Sequence, residues 1–251
     1  LVKLDNAGII QWQQCYGGTI NDWAQSVRQT SDGGYIISGW AQSSNGQVTG
    51  SHGSAEYWLV KTDNLGTLQW QKCLGGTTFD VAISVEQTLD GGYFVAGYTN
   101  SQNFDVTGNN GSNDYWVIKT NSTGTIQWQK CLGGTGDEFA YAGATQTSDG
   151  GYIVAGQSTS NDSDVTGHHG LLTYSDSWVV KIDSTGIIQW QKSLGGTNGD
   201  RANSIITTAD GGYIVAGMTW SNDDDVSGNH SVPPYVDSWI VKLNNLGIIQ
   251  W

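Results

Sequence analysis

Proline is nearly missing from this sequence, with two in 251 residues, while glycine is plentiful at thirty-six. That balance allows many tight turns without the composition of a disordered linker. Basic side chains are scarce too. Ten Lys and Arg stand against twenty-three Asp and Glu, for a formal charge of −13 and a pI near 4.3. Phosphate binding needs a basic surface, so no nucleic-acid partner is expected, and adhesion to anionic lipid is disfavoured for the same reason. A cation, a neutral sugar or a protein stays open. No apolar run approaches the length of a membrane span, so no membrane insertion is expected. The sequence opens on Leu1 rather than Met, so the lack of a signal peptide carries no information. Cysteine is limited to Cys15, Cys73 and Cys131, each 58 residues from the next, with Ser193 at the following equivalent position. Equivalent positions in successive repeats should lie beyond the roughly 7 Å Cα separation that a disulfide tolerates, so three free, buried thiols are expected. A zinc site is disfavoured because its ligands must converge.

Aromatic residues are abundant instead. Twelve tryptophans and eleven tyrosines are far too many for a disordered chain, and they recur in order. Asp32-Gly33-Gly34-Tyr35 returns as Asp90-Gly91-Gly92-Tyr93, Asp149-Gly150-Gly151-Tyr152 and Asp210-Gly211-Gly212-Tyr213, with everything around it repeating at about sixty residues. In the second copy, a β-rich run at 82–88 meets a glycine turn at 89–92, and a second strand follows at 93–99. A polar loop at 100–114 leads to a third strand at 115–120, a turn at 121–124 and a fourth strand at 125–132. Gly133-Gly134-Thr135 then links to the next unit. Four short antiparallel strands per unit describe one propeller blade.

The second and third strands are continuously apolar, as in Tyr152 to Gly156 and Trp178 to Val180, which fits a sheet covered on both faces. Gly97, Gly156 and Gly217 are expected to permit close sheet approach. The first strand carries small residues (Ala24 and Ser26, Ala82 and Ser84, Ala202 and Ser204) and is placed innermost. The Ile-Gln-Trp-Gln strand is then outermost, its Trp12, Trp70, Trp128, Trp190 and Trp251 read as inter-blade core. One extra residue within 140–145 predicts a β-bulge involving Gly143. The fold class is all-β, a β-propeller of four-stranded antiparallel blades in one region, 1–251. It has a half blade at 1–15 and blades at about 24–73, 82–131, 140–193 and 202–251. The half blade has only its third and fourth strands, so these four and a half blades are read as part of a larger ring of roughly five to eight.

The pattern Trp-x-Val-Lys-x-Asp-x-x-Gly-x-Ile-Gln-Trp-Gln-Lys-x-Leu-Gly-Gly-Thr, followed by Asp-Gly-Gly-Tyr-Ile-Val-Ala-Gly, covers the whole chain. It resembles the β-propeller repeats of secreted bacterial surface proteins. The resemblance implies large exported parents, often of the type IX secretion route, and an extracellular or cell-surface location. It also implies other domains of the same polypeptide as partners. It implies no catalytic residue.

In a four-stranded blade the loops between strands two and three share one face with the inter-blade links. Those loops are 43–56, 100–114, 158–176 and 221–237, long, polar and variable, and binding residues sit on such loops. Asp162, Asp164, Asp223 and Asp225 alternate ahead of a glycine and are similar to calcium loops, which makes calcium the one cofactor suggested. Asx-turns are the competing account. His52, His168, His169 and His230 lie just beyond, with Asn110 in the second loop, and are read first as loop histidines bonding their own backbone. His52, His169 and His230 are also carried as candidate ligand contacts. Trp40, Tyr98, Tyr174, Trp220 and Tyr235, with Pro233-Pro234, break the repeat on this face and suit sugar stacking or protein contact. Rings folded onto their own blades are the bland alternative.

Asp22, Asp80, Glu138 and Asp200 follow the Gly-Gly-Thr links at matching positions and read as structural caps, since a catalytic site would break the repeat symmetry. Lys61, Lys119, Lys181 and Lys242 read as solvated or ion-paired. No Ser/His/Asp set or phosphate-binding glycine loop appears. The expected function is a non-catalytic extracellular module for binding, adhesion or display, with a glycan or surface protein as ligand. The alternatives are a structural spacer, or part of a glycan-active enzyme whose catalytic residues lie elsewhere.

Overall fold

The computed structural model describes residues 1–231 and 234–251, and Pro233 of the predicted Pro-Pro pair lies outside the described residues. Where the sequence alternates glycine turns with β-branched and aromatic runs, the chain forms antiparallel hairpins. A two-stranded sheet opens it, β1 (Val2–Leu4) with β2 (Ile10–Gln13). Three four-stranded sheets follow in sequence order. The first holds β3 (Asp22–Gln29), β4 (Tyr35–Ala41), β5 (Glu56–Thr62) and β6 (Leu68–Leu74). The second holds β7 (Asp80–Gln87), β8 (Tyr93–Thr99), β9 (Asp114–Thr120) and β10 (Ile126–Leu132). The third holds β11 (Glu138–Gln146), β12 (Tyr152–Ser158), β13 (Asp176–Ile182) and β14 (Ile188–Leu194).

The fourth sheet has three strands, β15 (Asp200–Thr207), β16 (Tyr213–Thr219) and β17 (Asp237–Leu243). The full fourth strand expected there reduces to a bridge between Leu243 and Ile249 with flanking bonds from Lys242 and Gln250. In the third sheet the corresponding ladder runs on to Leu194.

The sheets are arranged as propeller-like blades. First strands pack against one another in series, β3 with β7, β7 with β11 and β11 with β15, so they line the inner side as their small residues predicted. The apolar core lies between blades. Ile36 and Leu59 meet Val85, Val95 and Trp116 at the first full junction, and Phe94 and Val117 meet Ala140, Tyr152 and Trp178 at the second. Middle strands are therefore buried on both faces, which explains their unbroken hydrophobicity.

The outer tryptophans join blades as expected at four of five positions. Trp12, Trp128 and Trp190 donate from Nε1 to the carbonyls of Asn64, Ser184 and Asn245 in the following blade. Trp70 tilts against Tyr93 at 5.8 Å between centroids. Each of the four rings covers the turn glycine of the next blade, Gly66, Gly124, Gly186 or Gly247. Trp251 is 66% exposed, and no blade among the described residues faces it. The thiols also depart from expectation: Cys73 is buried, Cys131 half-buried, and Cys15 exposed, since the two-stranded sheet does not enclose it.

Every first strand is bulged, not the third alone. Register shifts fall at Ala24/Ser26, Ala82/Ser84 and Ala202/Ser204, with a wider one between Phe139 and Gly143, whose φ is +72°. The strand-two glycines answer this bulge. A Cβ on Gly97 would sit 2.0 Å from the Val81 carbonyl oxygen, and one on Gly156 would sit 1.9 Å from that of Phe139. The tightest approach is within a sheet, backbone to backbone, and at Gly97 the Tyr57 hydroxyl of the neighbouring blade also comes to 2.7 Å of that position, the approach between sheets that was expected. Gly97→Ala should cost at least about 2 kcal/mol, within the range for overpacking an unyielding site, and lower the urea midpoint. An unchanged midpoint would show that the bulge carbonyl does not press on Gly97.

Candidate binding face

The links between blades carry backbone amides that must be satisfied, and acidic or amide side chains do this on one face. Asp80 accepts from the Gly76 amide at 2.8 Å and the Ser101 hydroxyl at 3.0 Å. Asp200 does the same with Gly196 and Ser221, both at 2.8 Å, and Asp22 and Glu138 repeat the contact at Gly18 and Gly134. These four are structural clamps, as their symmetry indicated.

The loop aspartates form a second clamp. Asp162 accepts from the amide and hydroxyl of Thr135 at 2.8 and 2.7 Å, and Asp223 from those of Thr197 at 2.9 and 2.7 Å. Asp164 and Asp225 accept from the Gly133 and Gly195 amides. In the first blade Asn45 and Gln47 make the equivalent bonds to Thr19 and Gly17. Neutral amides serve as well as carboxylates, so hydrogen-bond geometry and not charge sets these positions. Among the described residues no three His, Cys, Asp or Glu side chains converge as a metal site would. The four candidate calcium ligands are thus distributed over two junctions and engaged with backbone, though as bonds to links rather than local Asx-turns.

His52, His169 and His230 bond carboxylates, not their own backbone. The first residue of each third strand is an acid, Glu56, Asp114, Asp176 or Asp237, and the first three are fully buried. The His169 ring lies 2.8 Å from Asp176 through Nδ1, and that of His52 lies 3.2 Å from Glu56. His230 is 92% exposed on its side chain and holds Asp237 chiefly through its backbone N–H, at 2.7 Å. Asn110 supplies the equivalent N–H to Asp114 at 2.8 Å. A buried carboxylate needs donors, and the loop provides them. His168 is buried 3.8 Å from Asp176 with neither ring nitrogen hydrogen-bonded.

These acids meet the clamp acids of the next blade across the link. A Cβ placed on Gly133 would lie 2.5 Å from Glu138 and 2.6 Å from Asp114. Burial pushes Asp80 up to about 6 and Asp114 up to about 7, the charges of Glu138 and Asp164 adding to the latter, while Glu138, Asp176 and Asp200 are raised mainly by burial. On the opposite face the order reverses. Hydrogen bonding from Lys61 and Thr30 lowers Asp32 to about 2, and bonding from Thr88 and Lys119 lowers Asp90 to about 2. The repeated lysines are therefore ion-paired, Lys119 to Asp90 at 2.9 Å, and three of the four are buried rather than solvated.

The candidate aromatic residues divide into two groups. Trp40 stacks on Trp23 at 5.7 Å and 11°, while Tyr98 packs edge-on to Phe139 at 4.8 Å, both on inner strands and well separated in the chain of blades. Tyr174 and Trp220 come together at the junction of the third and fourth blades. With Pro234, Asn198, Gly199 and Thr173 they line a cavity of about 490 Å³. Trp220 is oriented by an Nε1 bond to the Pro234 carbonyl at 3.1 Å, and Tyr174 is 47% exposed. Tyr235 is 73% exposed and does not line the cavity. Asn198 and Gly199 were missed from the sequence. Their signal was a glycine where the other links carry Asn21, Phe79 and Asp137. Gly199 leaves its Cβ position 3.4 Å from the Trp220 ring, which keeps that face of the ring open.

The class of protein is thus an all-β chain of four-stranded antiparallel sheets in a propeller-like array. No family model and no curated protein matches it. A solved structure from Bacteroides caccae, described as a protein of unknown function, matches over 99% of this chain and 72% of that one. Its TM-score is 0.54 at 12% identity, so the likeness is one of fold.

The raised junction acids set a pH dependence. A group whose pKa is higher in the folded chain adds stability that is complete below its unfolded value near 4 and is lost as pH rises through the folded value. The lowered turn acids act oppositely, losing their contribution as pH falls toward 2. Stability should therefore peak near pH 4 to 5, with a higher Tm at pH 5 than at pH 8. Asp114→Asn should shrink that difference, and a Tm that rises steadily from pH 5 to 8 would contradict the placement of the buried acids.

Proposed function

We propose that this chain is a non-catalytic extracellular β-propeller serving as a binding, adhesion or display module of a larger bacterial surface protein. Its ligand is a glycan held on the Tyr174–Trp220 cavity. The observation that carries the reading is the convergence of two symmetry-breaking loop aromatics on one open cavity, at a junction where the link has a glycine in place of a larger residue. A partly exposed Tyr beside an indole held by its own N–H bond offers apolar ring faces. Asn198, Thr173 and Ser175 add hydroxyl and amide groups around them. Flat apolar faces ringed by a few polar groups suit the faces and hydroxyls of a pyranose. The acidic composition favours neutral over anionic sugars. The loop acids Asp162 and Asp223 and the His169 ring are engaged in holding links and a strand end.

A glycan array probed with the intact chain tests this. Binding to neutral glycans is expected, unchanged by chelator. Trp220→Ala should weaken it at least about tenfold, as for an aromatic anchor at a hot spot, and Gly199→Phe should block it by filling the cavity. Binding that persists undiminished in both variants would place the ligand elsewhere, and an absence of binding across the array would turn attention to protein partners.

A further inference from the structure

The two-stranded sheet at the start of the chain has an open edge with an unusual set of neighbours. By the repeat, Val2, Lys3 and Leu4 of β1 stand where Val60, Lys61 and Thr62 stand in β5. There, strand two occupies the edge, with Ile37 opposite Val60 and Tyr35 opposite Thr62. No strand among the described residues occupies it beside β1, which pairs with β2 alone. Val2 is 53% exposed and Leu4 52%, against 1% and 0% for Val60 and Thr62. The blade behind is uncovered at the same place. Val27 is 41% exposed where its equivalent Val85 is 1%, and two cavities of about 160 and 270 Å³ open between Leu1, Val2, Val27, Tyr35 and Ile37.

Charge identifies what fits. In all four other units the strand-three lysine binds the aspartate of an Asp-Gly-Gly turn, with Lys61–Asp32 at 2.8 Å and Lys119–Asp90, Lys181–Asp149 and Lys242–Asp210 at 2.9 Å. That turn joins strands one and two. Lys3 is the fifth such lysine, and it has no acidic partner among the described residues. Its Nζ lies 5.8 Å from the Tyr35 ring centroid.

We propose that the β1 edge is a docking site for one β-hairpin of this repeat type: a first strand, an Asp-Gly-Gly turn and a second strand. The incoming second strand extends the β1–β2 sheet, its turn carboxylate pairs with Lys3, and its apolar residues cover Val2, Leu4 and Val27. Extending a sheet edge with main-chain bonds while side chains fill pockets is an established mode of recognition. The occupant is not a second copy of this chain, because all four of its own such hairpins are already paired with third strands of their own blades. The occupant is a fifth hairpin of this type, a segment bearing its own unpaired Asp-Gly-Gly turn. The inference stands apart from the glycan reading, since the β1 edge and the Tyr174–Trp220 cavity share no residue.

A synthetic peptide with the sequence of residues 200–219 serves as the probe, added to the intact chain. The expected result is a one-to-one complex with raised Tm and slowed hydrogen exchange at the β1 amides. Peptide carrying Asn in place of its turn aspartate, or chain carrying Lys3→Met, should bind roughly tenfold or more weakly, the loss expected for a charge-assisted contact. A scrambled peptide should not bind. Because a free peptide can fail to fold, the same segment is also joined ahead of Leu1 through a flexible linker. Protection of β1 in the fusion supports the proposal. Exchange at β1 as fast as in the parent, with no change in Tm, overturns it, as does peptide binding that ignores both the aspartate and Lys3.

Discussion

A sheet covered on both faces leaves its connecting backbone nowhere to find water, and the solution to that problem shapes this molecule. At each junction the Gly-Gly-Thr link passes between two blades, and in three of the four its second glycine amide is buried. The carboxylate of Asp22, Asp80, Glu138 or Asp200 receives that amide. Buried amides without acceptors would each be costly, so the acid is required wherever the link is. Around it stand serine hydroxyls from the long loop of the same blade as further donors, and a second acid at the start of strand three held by the loop bearing His52, Asn110, His169 or His230.

This arrangement explains why acidity and conservatism of pattern coexist on the loop face. Aspartates spaced for calcium hold link backbone, and the rings of His52 and His169 pair with the carboxylates that begin strand three. The replacement of Asp162 and Asp164 by Asn45 and Gln47 in the first blade, with the same bonds retained, separates geometry from charge. Function is then sought where the pattern lapses. At the third junction a longer loop, a link glycine and an oriented indole lapse together, and a cavity results.

The two ends of each blade are electrostatically opposite. On the turn face a lysine and an aspartate form a pair exposed on the acid's side, supported by a neighbouring threonine and the turn's own amides. On the loop face two acids face each other across a link, each with its own, mostly neutral, donors. The first arrangement can be repeated by any hairpin that carries Asp-Gly-Gly, which is why a fifth lysine lacking its aspartate is informative.

The repeat, the strand order, the inner position of the small-residue strand and the inter-blade role of four tryptophans could be read from the sequence alone. Each depends on period and on side-chain size, which are local properties copied four times. The clamp role of Asp22, Asp80, Glu138 and Asp200 was legible for the same reason. Other features needed the tertiary structure. The bulge in every first strand, and the carbonyls that crowd Gly97 and Gly156 across a sheet, are among them. The exposure of Cys15 and Trp251 follows from what does or does not face them. The meeting of Tyr174 with Trp220 depends on how two loops and a link from different blades fold over one junction. Sequence spacing states which residues are equivalent, but only packing decides which unlike residues become neighbours.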